Sequence, residues 1–422
     1  MFADIIRHRE SFIAFRSMDF RRFLSAKFLL TLALQMQFVV ISWQVYEITN
    51  DALSLGLLGL AEAIPAVSIA LFGGYVADRS DKQKVVALVT LSLLFLSTIL
   101  FFVSQAAASS PSFGVWPFYM IMSGIGALRG FYSPAQFSLM TQLVQRNAYA
   151  NSSAWNSTFW HIGVVLGSSL GGLLLGWSGK QFTYITVILL LALALFQLLR
   201  IPPQPVSVKH REEGVWKSMR MGLHFVFSRQ EILGALSLDL VAVLFGGATA
   251  MLPVFAKEVL HVGESGFGLL RAAPFFGSVL MALVMTRHPP LRNAGSKLLL
   301  CVAGFSVCMI AFALSSNFYL SMFILALSGA FDNVSVVIRS TIIQLHTPDE
   351  MRGRVSAVST MFISSSNEIG AFESGFAAKL VGLVPSVIIG GGIALSAVGM
   401  AAWRLPALRS LQLTRDRNTA NG

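Results

Sequence analysis

GGYVADRSDKQK, residues 73–84, is a knot of charge between two long apolar runs, and what flanks it settles the fold class. Upstream the chain is apolar over about 53–78, and downstream it is apolar again over 84–104. Crossing about 30 Å of hydrocarbon takes roughly 20 apolar residues in a helix, and both runs are long enough. The same alternation of apolar run and short polar break continues outward in both directions. Membrane spans are expected near 22–47, 53–78, 84–104, 116–143, 152–177 and 181–200, then near 233–257, 265–286, 296–316, 318–345, 354–378 and 383–404.

Composition agrees with an all-α membrane protein of twelve transmembrane helices. The 422 residues are 55% hydrophobic and 12% charged, with a mean hydropathy of +0.69, whereas soluble domains carry about 25% charged residues. Loops on the cytoplasmic side of such proteins retain Lys and Arg. With the N-terminus inside, twenty-five of the 31 basic residues fall on that side, counting six before or at the first span. Lys180, Lys257 and Lys379 fall outside, and Arg129, Arg271 and Arg339 within spans. This distribution predicts a multi-pass protein of a bacterial inner membrane with both termini cytoplasmic. The net charge of +11 reads as topology and attraction to lipid headgroups, not as nucleic-acid binding. Cys301 and Cys308, two turns apart in one span, read as small buried apolar residues rather than a disulfide.

The longest hydrophilic stretch, 201–232, divides the chain into a six-span half at 1–200 and another at 233–422. Within it Val215, Met219, Leu223 and Val226 share one helical face while Lys217, Arg220 and His224 take another, which predicts an amphipathic helix on the membrane surface. QLVQRNAYANSSAW after the fourth span and QLHTPDEMRGRVSAV after the tenth occupy equivalent places, so the halves read as repeats.

The loop at 73–84 resembles the signature of the major facilitator superfamily, a Gly followed four residues later by Asp-Arg and then by basic residues. Gly74, Asp78, Arg79 and Lys82 carry the match, and Asp81 stands where the family commonly has a second glycine. The resemblance implies two six-helix pseudo-repeats, alternating access, and a conformational latch at these four residues. Gly74 is expected to admit a close helix and Asp78 to pair with a cation or a helix N-terminus. Gly163, Gly167 and Gly171 lie on one face of the fifth span, suited to close packing of another helix. They resemble the antiporter glycine motif of the family, with Ser168 in place of its usual proline. From Asp332-Asn333 through TPDEMRGRVSAV to SSNEIGAFESG the sequence is similar to the branch that contains enterobactin exporters and macrolide efflux proteins. That similarity implies proton-coupled export of a mid-sized organic compound.

An ionisable group in hydrocarbon costs about 2.5–3.5 kcal/mol on insertion scales, so each needs a partner, water or a function. Glu62, Arg129, His161, Asp239, Arg271, Asp332, Arg339, Glu368 and Glu373 all fall within spans. Three arginines cannot pair with all five carboxylates. Burial favours a neutral acid and a nearby cation favours a carboxylate, so a carboxylate in an alternately wetted cavity can load and release protons. Residue counting puts Glu62, Asp332 and Glu368 nearest mid-span, which makes them the candidates for proton coupling, with Arg129 and Arg339 as charge partners. Asp332 and Arg339 are two helical turns apart, and a fixed ion pair between the tenth and eleventh spans is the structural alternative. Trp43, Tyr132 and Trp160 are candidate substrate contacts. His161 is expected to be packed and hydrogen-bonded.

Neither a phosphate-binding glycine loop nor a nucleophile elbow nor a metal triad occurs, so no enzyme and no cofactor is expected. The expected partners are a small organic substrate, protons and the bilayer, with the chain acting as a monomer. An importer or lysophospholipid flippase on the same fold, or a non-transporting scaffold or sensor, are the alternatives.

Overall fold

The computed structural model describes residues 12–109, 114–203, 215–246, 248–288, 290, 293–348 and 351–413. All regular structure among them is helical. The first half comprises α1 (Met18–Thr49), α2 (Ala52–Arg79), α3 (Lys82–Ser109), α4 (Trp116–Gln142) and α5 (Tyr149–Leu199). The second comprises α6 (Val215–Ser228), α7 (Gln230–Phe245), α8 (Gly263–Arg287), α9 (Ala294–Leu314), α10 (Phe318–His346), α11 (Arg352–Val381) and α12 (Leu383–Arg404).

Among the described residues nine helices are apolar and long enough to cross a membrane. One of these, within α5, runs for 49 residues, about 74 Å at 1.5 Å per residue. It is two spans joined at Gly179, whose φ of +78° and ψ of 178° break the helix. Only glycine adopts that backbone conformation without strain. Adding the less apolar α4 and α11, of 27 and 30 residues, gives the twelve expected spans.

Helix starts follow local chemistry. Ser17 caps α1 by accepting from the Phe20 amide at 3.2 Å, and Asn317 caps α10 by accepting from the Leu320 amide at 3.0 Å. The seventh span is irregular at its far end. After Gly246 it passes through a 3₁₀ turn, Ala248–Met251, and a π-helical turn, Phe255–Val259.

The chain separates into two compact units. Unit one comprises Met1–Asn50, Ala61–His210 and Gly263–Ala272; unit two comprises Asp51–Leu60, Arg211–Val262 and Ala273–Gly422. In unit one, α1 lies along α5, and α3 packs on both α4 and α5. Its core includes Phe20, Phe23, Leu24, Val86, Leu139 and Met140. In unit two, α9 packs on α10 and α12, and α7 on α11 and α12. Val226, Ile232, Leu298, Ile338 and Ile342 form the core there. Large apolar side chains such as Phe95, Trp177, Phe323 and Trp403 stay exposed, as lipid-facing positions require.

α6 occupies part of the expected amphipathic segment. Leu223 and Val226 pack into unit two, while Arg220 and His224 face outward. The side chains of Val215, Lys217 and Met219 lie outside the described residues. Cys301 and Cys308 are buried free thiols.

Candidate functional site

In unit one, α2 and α4 meet at a glycine-lined crossing. A Cβ on Gly126 would strike the Glu62 carbonyl oxygen, and one on Gly130 would lie 2.9 Å from the Ala66 carbonyl oxygen. Arg129 follows Gly126 by one turn, so the close approach brings its guanidinium onto the Glu62 carboxylate as an ion pair. The Glu62 side chain is 7% exposed and that of Arg129 is 53% exposed. The pair joins Glu62, a candidate for proton coupling, to Arg129, a candidate charge partner.

Farther along the same crossing, a Cβ on Gly73 would strike the Gly130 carbonyl oxygen. This corrects the reading of the 73–84 loop: the close approach belongs to Gly73, whereas a Cβ on Gly74 meets nothing within 4 Å. Arg79 donates to the Tyr75 hydroxyl and lies 4.1 Å over its ring, so it is engaged on its own helix. Lys82 is buried at the start of α3. Asp78 falls in α2, with its side chain outside the described residues.

Unit two gathers a second cluster. Asp332, Ser335 and Arg339 lie along one stripe of α10, and Arg339 forms an ion pair with Asp239 of α7. Arg339 also approaches Asp332 at 3.9 Å. Side-chain exposure separates the three, at 5% for Arg339, 7% for Asp239 and 44% for Asp332. Asp332 opens on a small pocket with room for about one water molecule, lined by Asp239, Ala242, Cys301, Phe305 and Ser335 among others. The sequence anticipates Asp332 and Arg339 but sets Asp239 aside as nearer a span end. The principal ion pair joins α10 to α7, not to α11. Sequence spacing shows a pair on one helix; which neighbouring helix supplies a third member is a tertiary fact.

Glu368 of α11 is half-buried, and its carboxylate lies 3.3 Å from where a Cβ on Gly59 would stand. His161 shares its Nδ1 with the Ser157 carbonyl oxygen at 2.9 Å, within its own helix. Tyr132 packs against the core of unit one, and Trp160 lies edge-on to His161. Trp43 is buried and stacks on Phe267 with centroids 6.1 Å apart. Gly163 and Gly167 seat α5 on Thr31, Leu32 and Gln35 of α1, and Gly171 seats it on Met36.

Lys27, counted among the six basic residues before or at the first span, lies within α1 (Met18–Thr49). It is 9% exposed, with Nζ 2.7 Å from the Asn156 Oδ1 of α5.

The fold agrees with comparisons to known proteins. The chain is similar to the enterobactin exporter of Escherichia coli O6:K15:H31, 25% identical over 413 residues and covering 96% of this chain and 95% of the relative. It is similar to the enterobactin exporter of Citrobacter koseri, also 25% identical, over 88% of this chain and 92% of the relative. The crystal structure of the nucleoside transporter NupG shares the fold, with a TM-score of 0.71 at 12% identity, over 92% of this chain and 99% of that one. Residues 9–420 match the family model described as transmembrane secretion effector. The chain therefore belongs to the transmembrane secretion effector family of the major facilitator superfamily, as a multi-pass secondary transporter and not an enzyme.

Proposed function

We propose that this transporter exports a mid-sized organic compound, siderophore-like or drug-like, in exchange for protons by alternating access. It works as a monomer in a bacterial inner membrane with both termini in the cytoplasm. The observation that carries the reading is charge imbalance in unit two. Arg339 is the single arginine between two carboxylates; it is paired with Asp239, and Asp332 is reached only at 3.9 Å. One arginine for two carboxylates leaves a negative charge over at the small pocket that Asp332 lines; a proton neutralises it at little structural cost, and an ionisable group within a span marks function. Glu62, tied to Arg129, and Glu368 are the further sites through which protons pass. Outward direction is supported by the secretion family and by the exporter relatives.

Everted membrane vesicles test this, since they expose the cytoplasmic face. They are challenged with a panel of catecholate and hydroxamate siderophores and drug-like dyes. At least one compound should accumulate when a pH gradient is imposed, and a protonophore should abolish that accumulation. Asp332→Asn should remove gradient-driven accumulation while protein level holds. Unchanged accumulation in both Asp332→Asn and Glu62→Gln would sink the coupling assignment, and depletion in place of accumulation would make the protein an importer.

A further inference from the structure

Arginine meets an aromatic ring repeatedly at helix termini. Arg79 closes α2 and lies 4.1 Å over the Tyr75 ring. Arg200, the residue after α5, lies 4.0 Å over Phe196. Arg229, between α6 and α7, lies 5.6 Å from the centre of the Phe225 ring, and Arg404, the last residue of α12, lies 5.5 Å from that of Trp403. All four arginines are exposed. The second, sixth and twelfth spans end, and the seventh begins, on the same side of a membrane, because successive spans alternate in direction. The four pairs therefore share one face, which on the proposed orientation is the cytoplasmic one.

The opposite face is arranged differently. There Lys180 pairs with Glu47 at 2.5 Å and Lys379 with Asp51 at 2.7 Å, so these lysines carry their own counter-ions. Arg200, Arg229 and Arg404 make no ion pair among the described residues. A helix C-terminus favours a cation, which accounts for charge at Arg79, Arg200 and Arg404 but not for a ring beneath each of them. A charge that only directs insertion needs no ring either.

The rings fix where the cations stand. Tyr75, Phe196 and Trp403 are exposed near span ends, where aromatic side chains sit at the boundary between acyl chains and headgroups. A guanidinium carried over such a ring reaches the headgroup layer, and its fork of N–H donors matches two oxygens of one phosphodiester. The end of the sixth span adds a second fork. Arg22 of α1 donates to the Arg200 carbonyl oxygen at 2.8 Å and pairs with Asp19 at 3.1 Å, which holds two arginines side by side against one carboxylate.

We propose that these arginine-on-ring pairs are headgroup sites for anionic phospholipid from the leaflet on their own face, with Arg200, Phe196 and Arg22 the strongest of them. A phosphodiester of net negative charge supplies the counter-ion that the protein does not. A zwitterionic headgroup brings its own cation and leaves the guanidinium unanswered. The inference rests on the spans and these contacts; neither export nor proton coupling enters it.

Native mass spectrometry of the purified full chain, titrated with lipid in detergent, reads the binding. Phosphatidylglycerol should be retained and should raise the melting temperature, whereas phosphatidylcholine with the same acyl chains should do neither. Inorganic phosphate at millimolar concentration should not displace the lipid. Arg200→Gln should lower the apparent affinity for phosphatidylglycerol about fivefold, and adding Arg229→Gln and Arg404→Gln should lower it further. Lys180→Gln, which removes a charge from the opposite face, should retain the lipid as the wild type does. Equal retention of phosphatidylcholine, displacement by inorganic phosphate, an unchanged triple variant, or an equal loss in Lys180→Gln would each overturn the proposal. If the triple variant does not fold, Arg200→Gln and the comparison of the two lipids on the wild-type chain still decide.

Discussion

Arg339 holds two carboxylates of unit two, and removing it leaves Asp239 buried against no cation. Breaking one side of a buried ion pair costs about 3–5 kcal/mol, whereas replacing both partners with apolar residues is often neutral. Arg339→Leu should therefore lower thermal stability in detergent by an amount in that range, and Arg339→Leu with Asp239→Leu should recover most of it. Equal destabilisation in the single and double variants would show that the pair does not act as a unit. Asp332 and Arg339 were legible in the sequence because seven residues on one helix fix their stripe. Asp239 was not, because only packing of α7 on α10 brings it to the arginine. Lys27 was hidden differently: a basic residue near a span end has the same sequence appearance whether it faces water or a neighbouring helix. Outside the spans, Asp51 bonds Lys379 at 2.7 Å. Burial pushes its carboxyl up, but the Lys379 hydrogen bond, the Leu53 amide and the Lys379 charge outweigh that and hold it below the usual range. A carboxyl held low in the folded state adds stability above its ordinary pKa of about 3.9 and loses it as pH falls through the folded value. The melting temperature of Asp51→Asn should thus fall slightly below that of the wild type from pH 5 to 8. The exposed setting limits the effect to about 0.2–1 kcal/mol, and the gap should close in acid. A gap that persists or widens in acid would remove the pair from the account.

At the scale of elements, the α2–α4 crossing makes the sharpest distinction between neighbouring glycines. A methyl on Gly126 would collide with the Glu62 backbone, whereas a methyl on Gly74 meets open space. Overpacking a close contact costs about 1–3 kcal/mol. Gly126→Ala should lower stability by that order and pull Arg129 from Glu62, while Gly74→Ala leaves the melting temperature within error. The reverse ranking would mean that the helices do not cross at Gly126. The helices themselves were legible, because a run of some 20 apolar residues leaves few alternatives; the span expected at 53–78 is the helix Ala52–Arg79. Two features were not. Hydropathy is blind to the π-helical turn at Phe255–Val259, because it averages over a window and carries no information on how the backbone hydrogen bonds are paired. The glycine pattern also does not say which of two adjacent glycines, Gly73 or Gly74, turns toward a partner, since one residue rotates the helix by 100° and only the docked neighbour fixes that angle.

For the molecule as a whole, orientation in the bilayer follows from basic charge kept in short loops and near span ends. Even without Lys27, which is buried against Asn156 within α1, twenty-four basic residues are expected inside against three outside. Among them are Arg21 and Arg22 at the start of α1, Arg79 at the end of α2, and Lys82 and Lys84 at the start of α3. Alkaline phosphatase fused after Asn50 should be active and fused after Ser80 inactive, and a fluorescent protein at the C-terminus should be bright, as the cytoplasm allows. Lys27→Gln should change none of these signals, because a side chain buried in a packed helix pair adds little to the charge that directs insertion. A fusion pattern inverted in the wild type would reverse the orientation and with it the direction in which a proton gradient drives the substrate. A pattern inverted only by Lys27→Gln would place the lysine among the topogenic charges during insertion and reduce its bond to Asn156 to a consequence of folding.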